Sequence, residues 1–141
     1  KKCFIEKDEF DKNERLLLNY GHSFGHALES LTEYAIPHGL AVAHGMNISN
    51  YLSNYYGYLK SEEYQKMREV INPILVGSDL PKNISVEKFC EALKKDKKNI
   101  NKNPTVVLTR GVGKMFLKEI EVTDQLLKIL DKYFLETNWW R

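Results

Sequence analysis

Between about Asp8 and Tyr34 the apolar residues Leu16, Leu17, Phe24, Leu28 and Leu31 recur at spacings of three, four and seven. That period predicts one amphipathic helix. Asp8 or Asp11 is available to cap its start, and Ala35-Ile36-Pro37 ends it. A second helix is predicted from about His38 to Tyr56 on Val42, Met46, Ile48 and Leu52, closed by Gly57. A third covers Ser61 to about Leu75, with Pro73 forcing a kink or an early end. Ser85 caps a fourth, reaching about Lys95. The period then changes: Val106–Thr109 and Met115–Leu117 flank Arg110-Gly-Val-Gly113, a pattern of two short strands about a glycine-bearing turn. A last amphipathic helix runs from about Thr123 to Leu135. The fold class expected is mainly α, with one small β-hairpin and a single helical domain over residues 1–141.

Composition narrows the function classes. The chain has 141 residues, with 21 Lys plus Arg against 19 Asp plus Glu, so no bulk charge draws it to nucleic acid or an anionic membrane. Cys3 and Cys90 form no CxxC pair, which argues against a disulfide framework and for a reduced, cytoplasmic setting. No apolar run is long enough to span a membrane. The chain begins at Lys1 without Met, which is read as part of a longer protein.

The chemistry concentrates in one segment. His22, His26, His38 and His44 are the four histidines, and they fall within 23 residues. On a helix His22 and His26 share a face, where two neutral imidazoles can bind one Zn²⁺, or one can bind metal while the other meets substrate. His38 follows the helix break, where the chain can turn back toward that face. Gly21 and Gly25 each cost about 1 kcal/mol in a helix relative to Ala, which suggests that something large approaches the backbone there. Glu29 could complete a local set of two histidines and one carboxylate. His44 lies off the face and reads as a surface or packing residue. Arg15, Asn19, His22 and His26 fall at spacings of four, three and four, a predicted row of donors suited to an anion beside a metal.

Arg15-Leu-Leu-Leu-Asn19-Tyr-Gly-His22-Ser-Phe-Gly-His26-Ala-Leu-Glu29, followed by His38-Gly-Leu-Ala-Val-Ala-His44-Gly-Met46, closely resembles the dehydroquinate synthase family of sugar phosphate cyclases. The family pattern is an Arg, then Leu-Asn-x-Gly-His-[Ser/Thr]-x-Gly-His-Ala-x-Glu, then His-Gly-Glu-Ala-Val-x-x-Gly-Met. The resemblance is dense from Lys1 to Met46 and weaker at Lys95-Asp96-Lys97-Lys98. It implies the C-terminal domain of an enzyme whose N-terminal domain binds NAD, and it assigns no residue of this chain to NAD. Gly111-Val-Gly113 lies in a hairpin and is not a dinucleotide loop.

On the same resemblance His22 and His38 are ligands of Zn²⁺ or another divalent metal such as Co²⁺, with a third ligand, a Glu, preceding Lys1. Glu29 becomes structural. His26, Asn19 and either Lys97 or Lys98 would hold the substrate phosphate, with His26 assisting proton transfer, and Lys1 and Arg15 the carboxylate. Lys1, Arg15, Asn19 and His26 are thus the implied catalytic set. The implied reaction converts a phosphorylated seven-carbon keto acid to 3-dehydroquinate, in the shikimate pathway of aromatic amino acid biosynthesis. The partners implied are that substrate, the N-terminal domain and a homodimer mate, and the chain alone is expected to be inactive.

Leu40 departs from the pattern, replacing the acidic residue two positions after His38. It keeps two alternatives open: a sister cyclase of the deoxy-inosose, valiolone or polysaccharide pathways, or a non-catalytic helical module whose Trp139-Trp140 tail binds a partner. Retention of Lys1 and Arg15 favours an acidic substrate over a neutral one.

Overall fold

The first apolar stretch is divided rather than continuous. In the computed structural model, which describes residues 14–78, 80–81, 84–96 and 103–137 (with only the backbone at 14 and 15), Glu14–Asn19 forms a 3-10 helix. Tyr20 and Gly21 make a turn, and α1 runs from His22 to Leu31. This corrects the single helix expected from Asp8 to Tyr34. The break is set by Gly21, whose φ of 79° lies in the left-handed region, and a Cβ there would meet the Val42 carbonyl oxygen at 2.6 Å. Apolar spacing reads through the break because a 3-10 helix also brings residues three apart together. The expected caps Asp8 and Asp11 lie outside the described residues.

α1 stops earlier than Pro37 requires. Tyr34 N–H donates to the Glu29 carbonyl and Glu33 N–H to that of Ser30, the paired bonds of a Schellman ending. Glu33 and Tyr34 take positive φ without being glycine. The chain reverses through this turn into α2, His38–Tyr55. The helix α3, Ser61–Ile71, gives way to a 3-10 turn over Asn72–Leu75 with Pro73 in its first residues, as a proline without an N–H demands. Ser85 caps α4, Val86–Lys94, by accepting from Lys88 N–H. Thr123 does the same for α5, Asp124–Glu136, at Leu126 N–H.

Between these last helices β1, Thr105–Thr109, pairs antiparallel with β2, Met115–Glu119, in the register Leu108 to Phe116 and Thr109 to Met115. The turn closes with Arg110 N–H donating to the Lys114 carbonyl. Among the described residues the architecture is therefore five α-helices and one hairpin, the mainly helical class expected.

The core is built around α2, buried on most of its circumference, with one face each of α1, α4 and α5 packed in the main cluster. Phe24 of α1 stacks on Phe89 of α4, with centroids 6.2 Å apart, and Phe89 meets Phe134 of α5 edge-on at 5.3 Å. Leu28, Ile48, Leu52, Leu93, Leu108 and Leu130 complete it, buried. A smaller cluster of Ala43, Ile71 and Leu75 joins α2 to α3 and the 3-10 turn, and Leu40 packs against both clusters. His44 is fully buried and its Nε2 lies 3.0 Å from the Ser78 carbonyl, so of the surface or packing roles expected for it the structure shows packing. Cys90 is a buried free thiol, and Cys3 lies outside the described residues.

The close approach that Gly21 and Gly25 implied is made by α2 itself. A Cβ on Gly45 would lie 2.0 Å from the Gly21 carbonyl oxygen and 2.8 Å from Gly25 N. A Cβ on Gly25 would meet the Val42 backbone at 3.0 Å. Three glycines thus let α1 and α2 touch backbone to backbone, which seats the N-terminal half of α1 directly on α2.

Candidate metal centre

His22 and His26 stand one turn apart on α1, and the reversal through Tyr34 makes His38 the first residue of α2. The glycine contact between the helices then brings the three rings together. Their centroids form a near-equilateral triangle, 5.7 Å from His22 to His26, 5.5 Å from His22 to His38 and 5.7 Å from His26 to His38. A tetrahedral ion about 2.1 Å from each ligating nitrogen would hold imidazole centroids roughly 5 Å apart, close to the spacing of these rings, while the ligand atoms that lie within 4.8 Å of one another are those of His26, His38 and the carboxylate of Glu29.

Glu29 supplies the carboxylate of the cluster. It is buried among the core residues of α1, where an unpaired carboxylate would be costly. His38 Nδ1–H donates to Glu29 Oε1 at 3.0 Å. That bond fixes the tautomer of His38 and leaves the lone pair on Nε2, the arrangement by which carboxylates orient metal-binding histidines. The His38 side chain is 56% exposed against 10% for Glu29, so the outward edge of the ring is open to an ion or substrate. His26, Glu29 and His38 each offer a ligand atom within 4.8 Å of the others. On the other side of the triangle, His22 Nδ1 lies 3.4 Å from the Tyr20 carbonyl oxygen.

The remaining sequence candidates are placed less fully. Asn19 closes the 3-10 helix, two residues before the turn glycine, and is half-buried. The helical row of Arg15, Asn19, His22 and His26 is corrected here: Gly21 breaks it, leaving Arg15 and Asn19 on the 3-10 helix and His22 and His26 on α1. The side chain of Arg15, and Lys1, Lys97, Lys98, Trp139 and Trp140, lie outside the described residues. Leu40 does not deprive His38 of its carboxylate partner, because Glu29 fills that position while Leu40 joins the two apolar clusters.

Sequence reasoning passed over Tyr20 and Asn50. The Tyr20 hydroxyl donates to Asn50 Oδ1 across thirty residues, and burial pushes its pKa well above the usual phenol value, so it stays a donor. The signal was an asparagine at an otherwise buried position of α2, legible only once α1 lay against it.

Three imidazoles and a buried carboxylate, gathered where two helices meet, form a candidate metal site on a mainly helical domain. Its residues 1–99 match the family model described as 3-dehydroquinate synthase C-terminal, and the chain belongs to that family. It is 36% identical over 133 residues to the 3-dehydroquinate synthase of Helicobacter pylori (strain P12), covering 92% of this chain and 38% of that protein. With the 3-dehydroquinate synthase of Clostridium beijerinckii identity is 40% over 127 residues, 86% of this chain and 35% of the relative. The chain thus spans little more than a third of the length of these relatives. Among solved structures it resembles 2-deoxy-scyllo-inosose synthase complexed with carbaglucose-6-phosphate, NAD+ and Co2+, at a TM-score of 0.71 and 25% identity, covering 86% of this chain and 35% of that one. No described helix is long and apolar enough to cross a membrane.

Proposed function

We propose that this chain is the metal- and substrate-binding C-terminal part of a 3-dehydroquinate synthase that cyclises a phosphorylated seven-carbon keto acid with loss of phosphate. The observation that carries the reading is the triangle of His22, His26 and His38, formed inside the segment that matches the family. In it His22 and His38 ligate a divalent ion, Zn²⁺ or Co²⁺, through Nε2, and a glutamate from outside this chain completes the set. Glu29 orients His38. The ion would polarise the substrate hydroxyls and lower their pKa, and NAD, held mainly by a separate N-terminal domain, would take and return a hydride.

The chain's own residues then position the substrate. His26 stands beside the two ligands on the open side of the triangle, where its imidazole can donate to a phosphate oxygen and pass a proton at the leaving group. Asn19 and Lys97 or Lys98 add donors to the phosphate, and Lys1 and Arg15 pair with the carboxylate, Arg15 by a two-pronged guanidinium contact. A soluble cytoplasmic enzyme acting as a homodimer completes this reading. The chain alone, without the NAD domain, would not turn over.

A second reading rests on the proximity of His26, Glu29 and His38, which could form a local ligand set without any other part of the protein. Glu29 is already engaged with His38 Nδ1, which favours the orienting role. A sister cyclase acting on a neutral sugar phosphate is the alternative that the 2-deoxy-scyllo-inosose synthase likeness supports.

The test is product identification. The enzyme expressed from its complete reading frame, given NAD, Co²⁺ and the seven-carbon keto acid phosphate, should release phosphate and 3-dehydroquinate, and lose both with His22→Ala. Turnover only of a hexose phosphate would reassign it to the sister cyclases. Absence of turnover on either substrate would leave a non-catalytic module.

A further inference from the structure

The turn that launches α1 is held to α2 at two points. At one, the Gly21 carbonyl oxygen rests against Gly45, too close for any Cβ. At the other, the Tyr20 hydroxyl donates to Asn50, which is wholly buried. Between these contacts lies the Tyr20 carbonyl, the group facing His22 Nδ1 at 3.4 Å. We infer that Tyr20 and Asn50 form a positioning pair that holds the Tyr20 carbonyl against His22 and thereby selects the Nδ1–H tautomer of that histidine.

A separation of 3.4 Å is at the long end for a hydrogen bond, so a small displacement of the turn removes it. The backbone after Tyr20 is held from Gly21 onward, where the carbonyl oxygen meets Gly45 and accepts from Gly25 N–H, while the 3-10 helix ends just before Tyr20. The aromatic side chain, pinned at its far end, adds the restraint on the Tyr20 side of that peptide. Asn50 suits an anchor: it sits in the interior of α2, and among the described residues its Nδ2 has no hydrogen-bond partner, so its side chain is tied through Oδ1 to Tyr20.

The consequence is symmetrical with His38. There Glu29 accepts from Nδ1–H; at His22 a carbonyl does. Both rings then carry their lone pair on Nε2, His38 through Glu29 of α1 and His22 through Tyr20 anchored on Asn50 of α2. This inference rests on the metal-site reading for its purpose but not for its test. Partners of this outer kind typically change metal affinity 10- to 100-fold when removed.

The experiment is imidazole nitrogen NMR of the metal-free chain at about pH 8.5, two units above the ordinary histidine pKa. His22 should be mainly the Nδ1–H tautomer, and Tyr20→Phe should shift it toward Nε2–H while His38 is unchanged. Should Tyr20→Phe fail to fold, the double variant Tyr20→Phe/Asn50→Leu, which removes both polar partners together, replaces it with the same expected shift. Zn²⁺ titration of the folded variant should show affinity at least about 10-fold weaker than wild type. An unchanged His22 tautomer in a folded variant overturns the inference. If wild-type His22 does not respond to Zn²⁺, the metal reading fails, and the tautomer result still decides the positioning role.

Discussion

Gly45→Ala is the substitution whose sign the structure decides most sharply. On helix propensity alone, alanine at this interior position of α2 should stabilise by about 1 kcal/mol. The packing says otherwise. The new Cβ would sit 2.0 Å from the Gly21 carbonyl oxygen and 2.9 Å from its carbonyl carbon, against backbone with no rotamer to move. Relief to ordinary contact near 3.5 Å requires α1 and α2 to part by more than 1 Å along their contact. Overpacking costs about 1–3 kcal/mol, occasionally more; a 2.0 Å approach to backbone belongs at the upper end, so the net change is destabilising by roughly 2 kcal/mol after the propensity gain. Gly39→Ala in the first turn of the same helix is the control, since a Cβ there meets nothing within 4 Å. Urea unfolding of the three proteins should give midpoints in the order Gly39→Ala at or above wild type, then wild type, then Gly45→Ala. A Gly45→Ala protein as stable as wild type would refute the backbone contact, and with it the reason the histidines converge.

Other outcomes follow from single contacts. Leu40→Glu, which restores the acidic residue of the family pattern, should destabilise by about 1–3 kcal/mol in urea, because the carboxylate enters between two apolar clusters without a partner. Burial pushes the Cys90 thiol up to about 11 from an ordinary value of 9. The folded state therefore keeps a proton that the unfolded chain loses, and stability present below pH 9 should decline as pH rises from 9 to 11. Cys90→Ala should flatten that part of the stability profile, measured by denaturant midpoint against pH. Glu29→Gln, keeping an acceptor but not the charge, should weaken Zn²⁺ binding roughly 10-fold with little change in helicity, read by titration and circular dichroism.

The elements were legible where local chemistry decides them. Ser85 and Thr123 cap as their hydroxyls allow, Pro73 ends α3, and Gly111 and Gly113 mark the hairpin turn. The division of the first helix at Gly21 was not, because leucines three and four apart serve a 3-10 helix and an α-helix alike. Glycine's second role, contact between α1 and α2, depends on residues twenty positions away and has no periodic trace. The histidines stood out by spacing, yet their convergence depends on the Schellman turn at Glu33 and Tyr34, where no glycine announces positive φ. Tyr20 and Asn50 carried only the faint signal of an asparagine among buried positions of α2, since a tyrosine and an asparagine thirty apart are ordinary until the fold pairs them.

The central claim is that His22 and His38 hold the ion while His26 faces substrate. Metal content of the protein expressed from its complete reading frame tests it most directly, by elemental analysis of wild type and of single His22→Ala, His26→Ala, His38→Ala and His44→Ala variants. The account predicts about one divalent ion per chain in wild type, loss with His22→Ala and His38→Ala, and retention with His26→Ala and His44→Ala. Retention with His22→Ala and loss with His26→Ala would contradict it in favour of the local set with Glu29, and a wild type without metal would contradict it outright.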